Sequence, residues 1–336
     1  MYQVEEERII QEIRRRGSKR VLLQMPEGLK PLGFQLVTLL EGQAGVEVFL
    51  SGDPCYGACD LALGPKSHVE ADLLIHIGHA QIPGEFPGEN VLFVEARSNA
   101  PISNLMGRVA RMLNTERRIG LASNIQHIHQ LDTAKEILEK NGKEVLIGRA
   151  SGWLLYPGQV LGCDYGSVRA IADKVDAIVV LSGGDFHALG IPLATGKRTI
   201  VVDPFQGTAR DMTEACKRLL RKRWINIEKF KQAKRVGIIV GLKSSQMNIA
   251  LARRLKQLLQ ENGQTAILIC ATEVIPETLE SFMDLEAYVE VSCPRISTDD
   301  QERYRKPILN PEELMIALGK KSWEEYTKGM TLEEWH

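Results

Sequence analysis

Cysteines are the residues of this sequence whose type and placement are best suited to chemistry. In a reducing compartment, thiols bind metals, act in catalysis or pack in the core, whereas disulfide frameworks are rare. In the stretch GDPCYGACD, Cys55 and Cys59 stand four positions apart after an apolar run. This pair suggests a metal site, a redox couple or two small buried residues. The full set is Cys55, Cys59, Cys163, Cys216, Cys270 and Cys293.

The elements that must position these cysteines recur three times. A buried strand, a loop, an amphipathic helix and a second strand begin at Arg20, Arg118 and Arg235. Third and fourth strands follow as ADLLIHIG and NVLFVEAR, AIVVLSGG and RTIVVDPF, and AYVEVSC and KPILNP. Short apolar runs without alternation are typical of strands buried on both faces of a parallel sheet. The sequence therefore predicts an α/β protein of three repeated small parallel-sheet domains, over residues 1–112, 113–228 and 229–336.

Three cysteines fall at the carboxyl end of a predicted strand, one in each repeat. Cys59 and Cys163 lie in loops after second strands, and Cys293 closes a third strand. Ligands of parallel sheets bind at this edge, so a pseudo-threefold arrangement of the repeats predicts that the three thiols surround a central site. Three thiolates with one open position fit a 4Fe–4S cluster. Catalytic zinc and unrelated core cysteines are the alternatives. Cys216 and Cys270 are expected to be small buried residues.

Composition narrows the class of protein. Hydrophobic residues make up 44% of the 336 residues, charged residues 25%, and the formal net charge is -1. This balance indicates neither a nucleic-acid-binding nor a membrane-binding surface. The N-terminal stretch does not resemble a signal peptide, and no apolar run approaches the roughly 18 residues that span a bilayer. We therefore expect a cytoplasmic protein.

The basic segment 216–235 is interpreted as a solvated connecting helix, with a docking face for an acidic partner as the alternative.

Five motifs resemble those of the archaeal diphthamide biosynthesis enzymes, the 2-(3-amino-3-carboxypropyl)histidine synthase family. They are GDPCYGACD, HIGHAQIP, SNIQHIHQL, GGDFHALG and SCPRISTDD, and they follow one another between residues 20 and 311. The resemblance implies a homodimer of three-domain subunits with one 4Fe–4S ligand from each domain. Carried over to this sequence, the ligands are Cys59, Cys163 and Cys293, and Cys55 is not a ligand.

The resemblance also implies a reaction. S-adenosylmethionine contacts the open iron, and the reduced cluster donates one electron to its sulfonium. The bond from sulfur to the methionine γ-carbon breaks, releasing methylthioadenosine and a 3-amino-3-carboxypropyl radical that adds to C2 of a histidine in translation elongation factor 2. An unidentified electron donor is required. The third cysteine that ordinary S-adenosylmethionine radical enzymes carry in a Cys-x3-Cys-x2-Cys loop is absent, since position 62 is Ala.

Further residues are candidates for binding S-adenosylmethionine. Gln246 lies in GLKSSQMN, where the N–H groups at the start of a helix suit a carboxylate. Gly183 and Gly184 permit a close approach of the backbone, and His187 either faces the substrate or has a structural role. Arg295 either binds a carboxylate, raises the potential of the cluster, or forms a surface ion pair with one of the next acidic residues, Asp299 or Asp300.

The spacing of His76 and His79 has two interpretations. His76 and His79 resemble a metal pair by spacing, but on a strand they would point to opposite faces, which favours a role without metal.

Two rival functions also remain. Quinolinate synthase has a similar architecture, with a cluster acting as a Lewis acid in a dehydration, and a non-catalytic subunit of a diphthamide complex is the other rival.

Overall fold

Three mainly parallel β-sheets with flanking helices organise the chain. The structure, a computed structural model, describes residues 2–84, 88, 90–298 and 301–327. Within these residues, no helix is long and apolar enough to cross a membrane. The prediction of an α/β protein is confirmed.

The first sheet has the strand order β3-β2-β4-β5, and all three of its strand pairs are parallel. Helix α1 shows why such elements form here. It carries Glu6 and Glu7 in its first turn and three arginines in its last, which complements the helix dipole, and Gly17 ends it with φ 64°. The elements up to residue 112 are β1 (Tyr2–Gln3), α1 (Glu6–Arg16), β2 (Arg20–Gln24), α2 (Gly33–Ala44), β3 (Glu47–Leu50), α3 (Leu63–His68), β4 (Leu73–Ile77), β5 (Val91–Val94), β6 (Arg97–Ser98) and α4 (Ser103–Met112).

The second sheet has the order β11-β10-β9-β7-β8, with β7 parallel to both β8 and β9. Its core strand β9 is fully buried, as its unbroken apolar run predicts. The elements are β7 (Arg118–Ser123), α5 (Leu131–Lys140), β8 (Glu144–Leu146), α6 (Gly166–Arg169), β9 (Ala177–Leu181), α7 (Gly190–Thr195), β10 (Arg198–Asp203), β11 (Thr208–Asp211) and α8 (Thr213–Phe230).

The third sheet has the order β13-β12-β14-β15, again with parallel pairs. Asn248 caps helix α9 by accepting a hydrogen bond from the Leu251 N–H group, 3.0 Å away. The elements are β12 (Arg235–Gly241), α9 (Ile249–Glu261), β13 (Thr265–Ala271), α10 (Pro276–Glu280), β14 (Ala287–Glu290), α11 (Pro294–Thr298), β15 (Ile308–Leu309), α12 (Pro311–Ala317) and α13 (Trp323–Thr327).

One strand order is common to the three sheets. If the strands of each sheet are numbered along the chain, the first strand lies between the second and the third, and the fourth lies beyond the third. The second sheet adds β11 beyond its fourth strand. Each predicted repeat therefore contains one sheet of this order. The described chain divides into two compact units. One holds the chain up to Gly184 together with Ile200–Arg210; the other holds Asp185–Thr199 and the chain from Asp211. The predicted domain boundaries and the pseudo-threefold arrangement stay predictions.

Two expectations need correction. Cys270 is exposed rather than buried, because β13 is an edge strand and its alternate side chains face away from the sheet. The basic helix α8 is more than a solvated connector. Its apolar stripe includes Cys216, Ile227 and Phe230, each 0% exposed, and Arg223 is also buried.

Candidate functional site

The three predicted ligand cysteines all lie in loops that follow sheet strands. Cys59 lies between β3 and α3, Cys163 between β8 and α6, and Cys293 between β14 and α11. Cys163 is exposed, and Cys59 and Cys293 are partly buried. By contrast, burial raises the pKa of Cys216 to about 12, so that thiol is inert. The three predicted thiols are therefore accessible to a ligand. Their meeting at one point stays a prediction.

The loop that carries Cys59 is held by the buried side chain of Gln24, the last residue of β2. The Gln24 amide donates to the Asp60 carbonyl at 2.6 Å and accepts from the Ala62 N–H group at 3.0 Å. The Asp60 carboxylate accepts in turn from the Tyr56 N–H group at 3.3 Å. These bonds fix the backbone on both sides of Cys59, because buried polar groups that are satisfied in one arrangement strongly disfavour others.

The loop that carries Cys163 is held by the next residue. Residues 158–160 pair in parallel with the end of β7, which brings the loop to the carboxyl edge of the second sheet. The Asp164 carboxylate then accepts from the Trp153 N–H group at 2.9 Å and the Gly166 N–H group at 2.8 Å. Cys163 is thus exposed on a loop whose backbone is fixed by one carboxylate.

The turn before Cys293 is held by Glu290, the last residue of β14. Its side-chain oxygen Oε2 accepts from the Ser292 N–H group at 3.0 Å and from the Ser292 hydroxyl at 3.3 Å. Burial raises the pKa of Glu290 to about 8, with a smaller contribution from the negative charge of Glu313. Arg223, which forms a fully buried ion pair with Glu313, opposes this shift only weakly. A neutral carboxyl group therefore underlies the Cys293 loop near pH 7.

Gln246 lies beside that loop. A β-carbon added to Gly241 would stand 2.6 Å from the Ser292 β-carbon and 3.8 Å from the Gln246 β-carbon, so the loop after β12 approaches the residue next to Cys293 closely. Gln246 is partly buried in a turn that ends two residues before the helix cap, Asn248. The predicted helix start is confirmed, and Gln246 precedes it. Its role in binding stays a prediction.

Arg295 is buried, and its guanidinium group contacts Phe186. Its Nη2 atom donates to the Phe186 carbonyl at 2.8 Å, and its guanidinium carbon stands 4.2 Å from the centre of the Phe186 ring. The same ring packs edge-on against His187, with centroids 4.9 Å apart. Arg295 is only 9% exposed, so the expected surface ion pair does not describe it. The acidic residues proposed for that pair, Asp299 and Asp300, lie outside the described residues.

The Gly183–Gly184 pair follows the strand β9. Gly184 has φ +68°, a conformation that favours glycine, and its N–H group donates to the Asp203 carboxylate at 2.7 Å. A β-carbon on Gly183 would stand 3.1 Å from the Phe205 ring, which is tighter than ordinary contact. Packing against Phe205 thus favours a small residue at position 183, whereas the backbone conformation alone favours glycine at position 184. A role in binding S-adenosylmethionine stays a prediction.

Two buried polar atoms at the same edge have no hydrogen-bond partner among the described residues. They are Asn124 Oδ1 and His127 Nε2, from the motif that follows β7. His127 Nδ1 is 2.9 Å from Gln130 Oε1, and burial lowers the pKa of His127. Buried atoms of this kind are normally satisfied, so they mark a place where a polar ligand or water would be stabilised.

The positions of His76 and His79 contradict the expectation that the two rings point apart. His76 Nε2 is 2.9 Å from His79 Nδ1, and the sulfur of Cys55 lies in the same group, with all three potential ligand atoms within 4.8 Å of one another. The strand β4 ends at Ile77, and the chain bends at Gly78, which has φ +104°. Burial lowers the pKa of His79 to about 4 and that of His76 well below its usual value, so both rings are neutral near pH 7.

Sequence reasoning missed the side chains that hold the cysteine loops. Gln24 and Glu290 are single polar residues at the ends of apolar strands, and Asp60 and Asp164 each directly follow a cysteine that is predicted to be a ligand. The repeated Cys-Asp pair was the available signal, since Asp side chains commonly accept backbone N–H groups in tight loops. No comparable signal distinguishes Gln24.

Comparison with known proteins shows the family to which the chain belongs. The family model described as "Putative diphthamide synthesis protein" matches residues 25–327. The 2-(3-amino-3-carboxypropyl)histidine synthase of Pyrococcus horikoshii is 39% identical, and the match covers 97% of this chain and 93% of that protein. Subunit 1 of the enzyme of that name from Caenorhabditis elegans is 32% identical, over 94% of this chain and 80% of that protein.

The fold is similar over the same length. The crystal structure of Dph2 from Pyrococcus horikoshii with a 4Fe–4S cluster matches with a TM-score of 0.87 and 38% identity, covering 97% of this chain and 94% of that one. A second crystal structure of that protein matches with a TM-score of 0.86. By its sequence, its sheets and the length of both matches, this chain belongs to the diphthamide synthesis protein family.

Proposed function

We propose that this chain is a 2-(3-amino-3-carboxypropyl)histidine synthase that carries out the first step of diphthamide biosynthesis. It would consume S-adenosylmethionine, release methylthioadenosine and attach the 3-amino-3-carboxypropyl group to C2 of a histidine in translation elongation factor 2. One observation carries the proposal: the 39% identity, over 97% of the chain, to the Pyrococcus horikoshii enzyme of that name. The family resemblance of the five motifs supplies the reaction.

Cys59, Cys163 and Cys293 would hold a 4Fe–4S cluster. The three thiols fit a 4Fe–4S cluster, because each lies in a loop after a sheet strand and none is fully buried. Three thiolates leave one iron open. The related Dph2 crystal structure contains a 4Fe–4S cluster, which supports the assignment. Cys55 is not included, since it is 4% exposed and grouped with two histidines instead.

When bound and reduced, the cluster supplies one electron to the sulfonium of S-adenosylmethionine. The residues of the chain hold the cysteine loops and the co-substrate. Gln24, Asp164 and Glu290 fix the loop backbones through the hydrogen bonds described above. Gln246, beside the Cys293 loop, would donate its side-chain amide to the methionine carboxylate.

The segment after Gly184 would take part in binding. Arg295 donates to the Phe186 carbonyl and lies over the Phe186 ring, so we assign it as a positioning residue for the segment that carries His187. His187 would then face the co-substrate or the target histidine. Gly183 and Gly184 leave room for a close approach of the backbone.

Partners follow from the same proposal. We propose that the chain forms a homodimer, that its protein substrate is translation elongation factor 2, and that a separate electron donor reduces the cluster.

The rival functions differ from this one in the co-substrate or the partner chain that they require. A dehydratase of the quinolinate synthase type uses no S-adenosylmethionine, and a non-catalytic subunit modifies elongation factor 2 only with a second, different chain.

The experiment uses the anaerobically reconstituted, dithionite-reduced chain with S-adenosylmethionine and archaeal elongation factor 2, analysed by intact-protein and peptide mass spectrometry. We expect one 3-amino-3-carboxypropyl group on one histidine. Cys163→Ala should abolish the modification, and Cys270→Ala should preserve it, because both thiols are exposed but only the first is a proposed ligand. An unmodified factor with a fully loaded cluster would contradict the proposal.

A further inference from the structure

A second group of metal-ligating side chains lies at the carboxyl edge of the first sheet, separate from the three proposed cluster ligands. It consists of Cys55, His76 and His79, whose potential ligand atoms all lie within 4.8 Å of one another. Cys55 and His76 are 4% and 0% exposed. We propose that these three side chains form a site for a divalent metal ion of the zinc type.

The backbone brings the two rings together in a way that an ordinary strand would not. Gly78 has φ +104°, and its N–H group donates to the Val94 carbonyl at 2.8 Å. A β-carbon at this position would stand 2.9 Å from the Leu29 side chain, so only glycine fits without displacement. This turn places His79 Nδ1 2.9 Å from His76 Nε2. The juxtaposition is thus built into the fold.

His76 Nδ1, the ring nitrogen that faces away from His79, is hydrogen-bonded to an oxygen, as is usual for a histidine that binds a metal. His76 Nδ1 is 2.9 Å from Gln24 Oε1. The orientation of the Gln24 amide is set independently, since its nitrogen donates to the Asp60 carbonyl and its oxygen accepts from the Ala62 N–H group. Nδ1 must therefore carry the proton, and Nε2 presents its lone pair to the group. A ligating histidine that donates its other N–H group to an oxygen is the usual arrangement in metalloproteins.

The distances suit a metal ion after small shifts. With metal–sulfur bonds of about 2.3 Å and metal–nitrogen bonds of about 2.0 Å, tetrahedral donors stand roughly 3.3 to 3.6 Å apart. The two ring nitrogens stand 2.9 Å apart, and no pair in the group exceeds 4.8 Å. The farthest pair would therefore close by at most about 1.2 Å. Binding would release the Cys55 thiol proton, and the proton of His79 Nδ1 would move to Nε2, so that both rings bind as neutral imidazoles.

The donor types decide the class of ion. One thiolate and two neutral imidazoles suit zinc and similar borderline ions, whereas magnesium and calcium prefer oxygen. Three protein ligands leave a fourth position for water or an exogenous ligand. The competing interpretation is a metal-free pair of hydrogen-bonded histidines beside a buried thiol.

The test measures zinc bound to the full-length protein. The wild type would be purified anaerobically, equilibrated with zinc and washed with a weak chelator, and zinc per chain would be counted by plasma mass spectrometry. We expect the wild type to bind one zinc ion per chain. Cys55→Ser and His79→Gln should each bind it at least tenfold more weakly in chelator competition. His79→Cys should retain the ion, because a thiolate replaces an imidazole as ligand, whereas a purely structural histidine would not be rescued this way.

Cys59→Ser is the control for zinc captured by the proposed cluster ligands. If zinc is lost in Cys59→Ser and retained in Cys55→Ser, or if no variant changes zinc binding, the proposal is overturned. X-ray absorption at the zinc edge should show one sulfur and two imidazole nitrogens, and a sulfur-only environment would overturn it equally. Should Cys55→Ser fail to fold, the comparison of His79→Gln with His79→Cys decides alone.

Discussion

Gln24 offers the most quantitative test of how the Cys59 loop is held. The residue is 2% exposed and makes three hydrogen bonds, to the Asp60 carbonyl, the Ala62 N–H group and His76 Nδ1. Gln24→Met keeps the length of the side chain but removes all three. Leaving a buried polar group without a partner costs about 1 to 3 kcal/mol. Three such groups give a loss of about 3 kcal/mol in the free energy of unfolding at the lower end of that range.

Urea denaturation followed by circular dichroism would measure this loss, with the midpoint interpreted only if the slope is unchanged. Gln257→Met is the matched control. Its amide is exposed on α9 and bonds only Glu261 among the contacts described, so we expect a change below about 0.5 kcal/mol. Iron bound per chain after reconstitution should also fall in Gln24→Met, because the Cys59 loop is loosened. A loss in Gln24→Met no larger than that of the control would refute the reasoning.

Three further predictions concern the other loops. Cys163→Ala should lose the visible absorbance of the reconstituted protein while Cys270→Ala keeps it; equal loss in both would remove the ligand assignment. The pKa of Glu290 is raised to about 8 in the folded chain, so it binds a proton that the unfolded chain releases above its ordinary value of 4.5. The free energy of unfolding should therefore be highest below about pH 4.5 for this group and fall as the pH rises towards 8, by about 5 kcal/mol at most. Glu290→Gln should flatten that slope in urea titrations between pH 5 and 8, and an unchanged slope would contradict the assignment. Gly184→Ala should lower the melting temperature, since φ +68° costs a residue with a β-carbon about 1 kcal/mol, whereas Gly28→Ala, with open space and no positive φ, should not.

Much of the fold follows from short-range patterns. The unbroken apolar runs of β2, β7 and β12 predict buried parallel strands, because such strands have helices on both faces. The Asn141-Gly142 and Asn262-Gly263 pairs predict where α5 and α9 end, and both glycines have φ +80°. Cys270 was placed wrongly because sequence pattern does not show which strand lies at the edge of a sheet.

The candidate site was predictable in part. The rule that ligands gather at the carboxyl ends of parallel strands predicts Cys59, Cys163 and Cys293 as ligands, and the structure places each of them in a loop after a sheet strand. Their binding of a cluster stays a prediction. The side chains that hold their loops were not identified, since a lone buried glutamine such as Gln24 acquires its role only from partners distant in sequence. The contact between His76 and His79 could not be predicted from strand periodicity, because the strand ends at Ile77 and Gly78 bends the chain.

The product formed from S-adenosylmethionine tests the central claim most directly. The anaerobically reconstituted chain would be reduced with dithionite, incubated with S-adenosylmethionine and analysed by liquid chromatography with mass spectrometry. We expect methylthioadenosine, with no 5′-deoxyadenosine above background. Formation of 5′-deoxyadenosine, or no cleavage by a chain whose cluster is intact and reduced, would contradict the central claim.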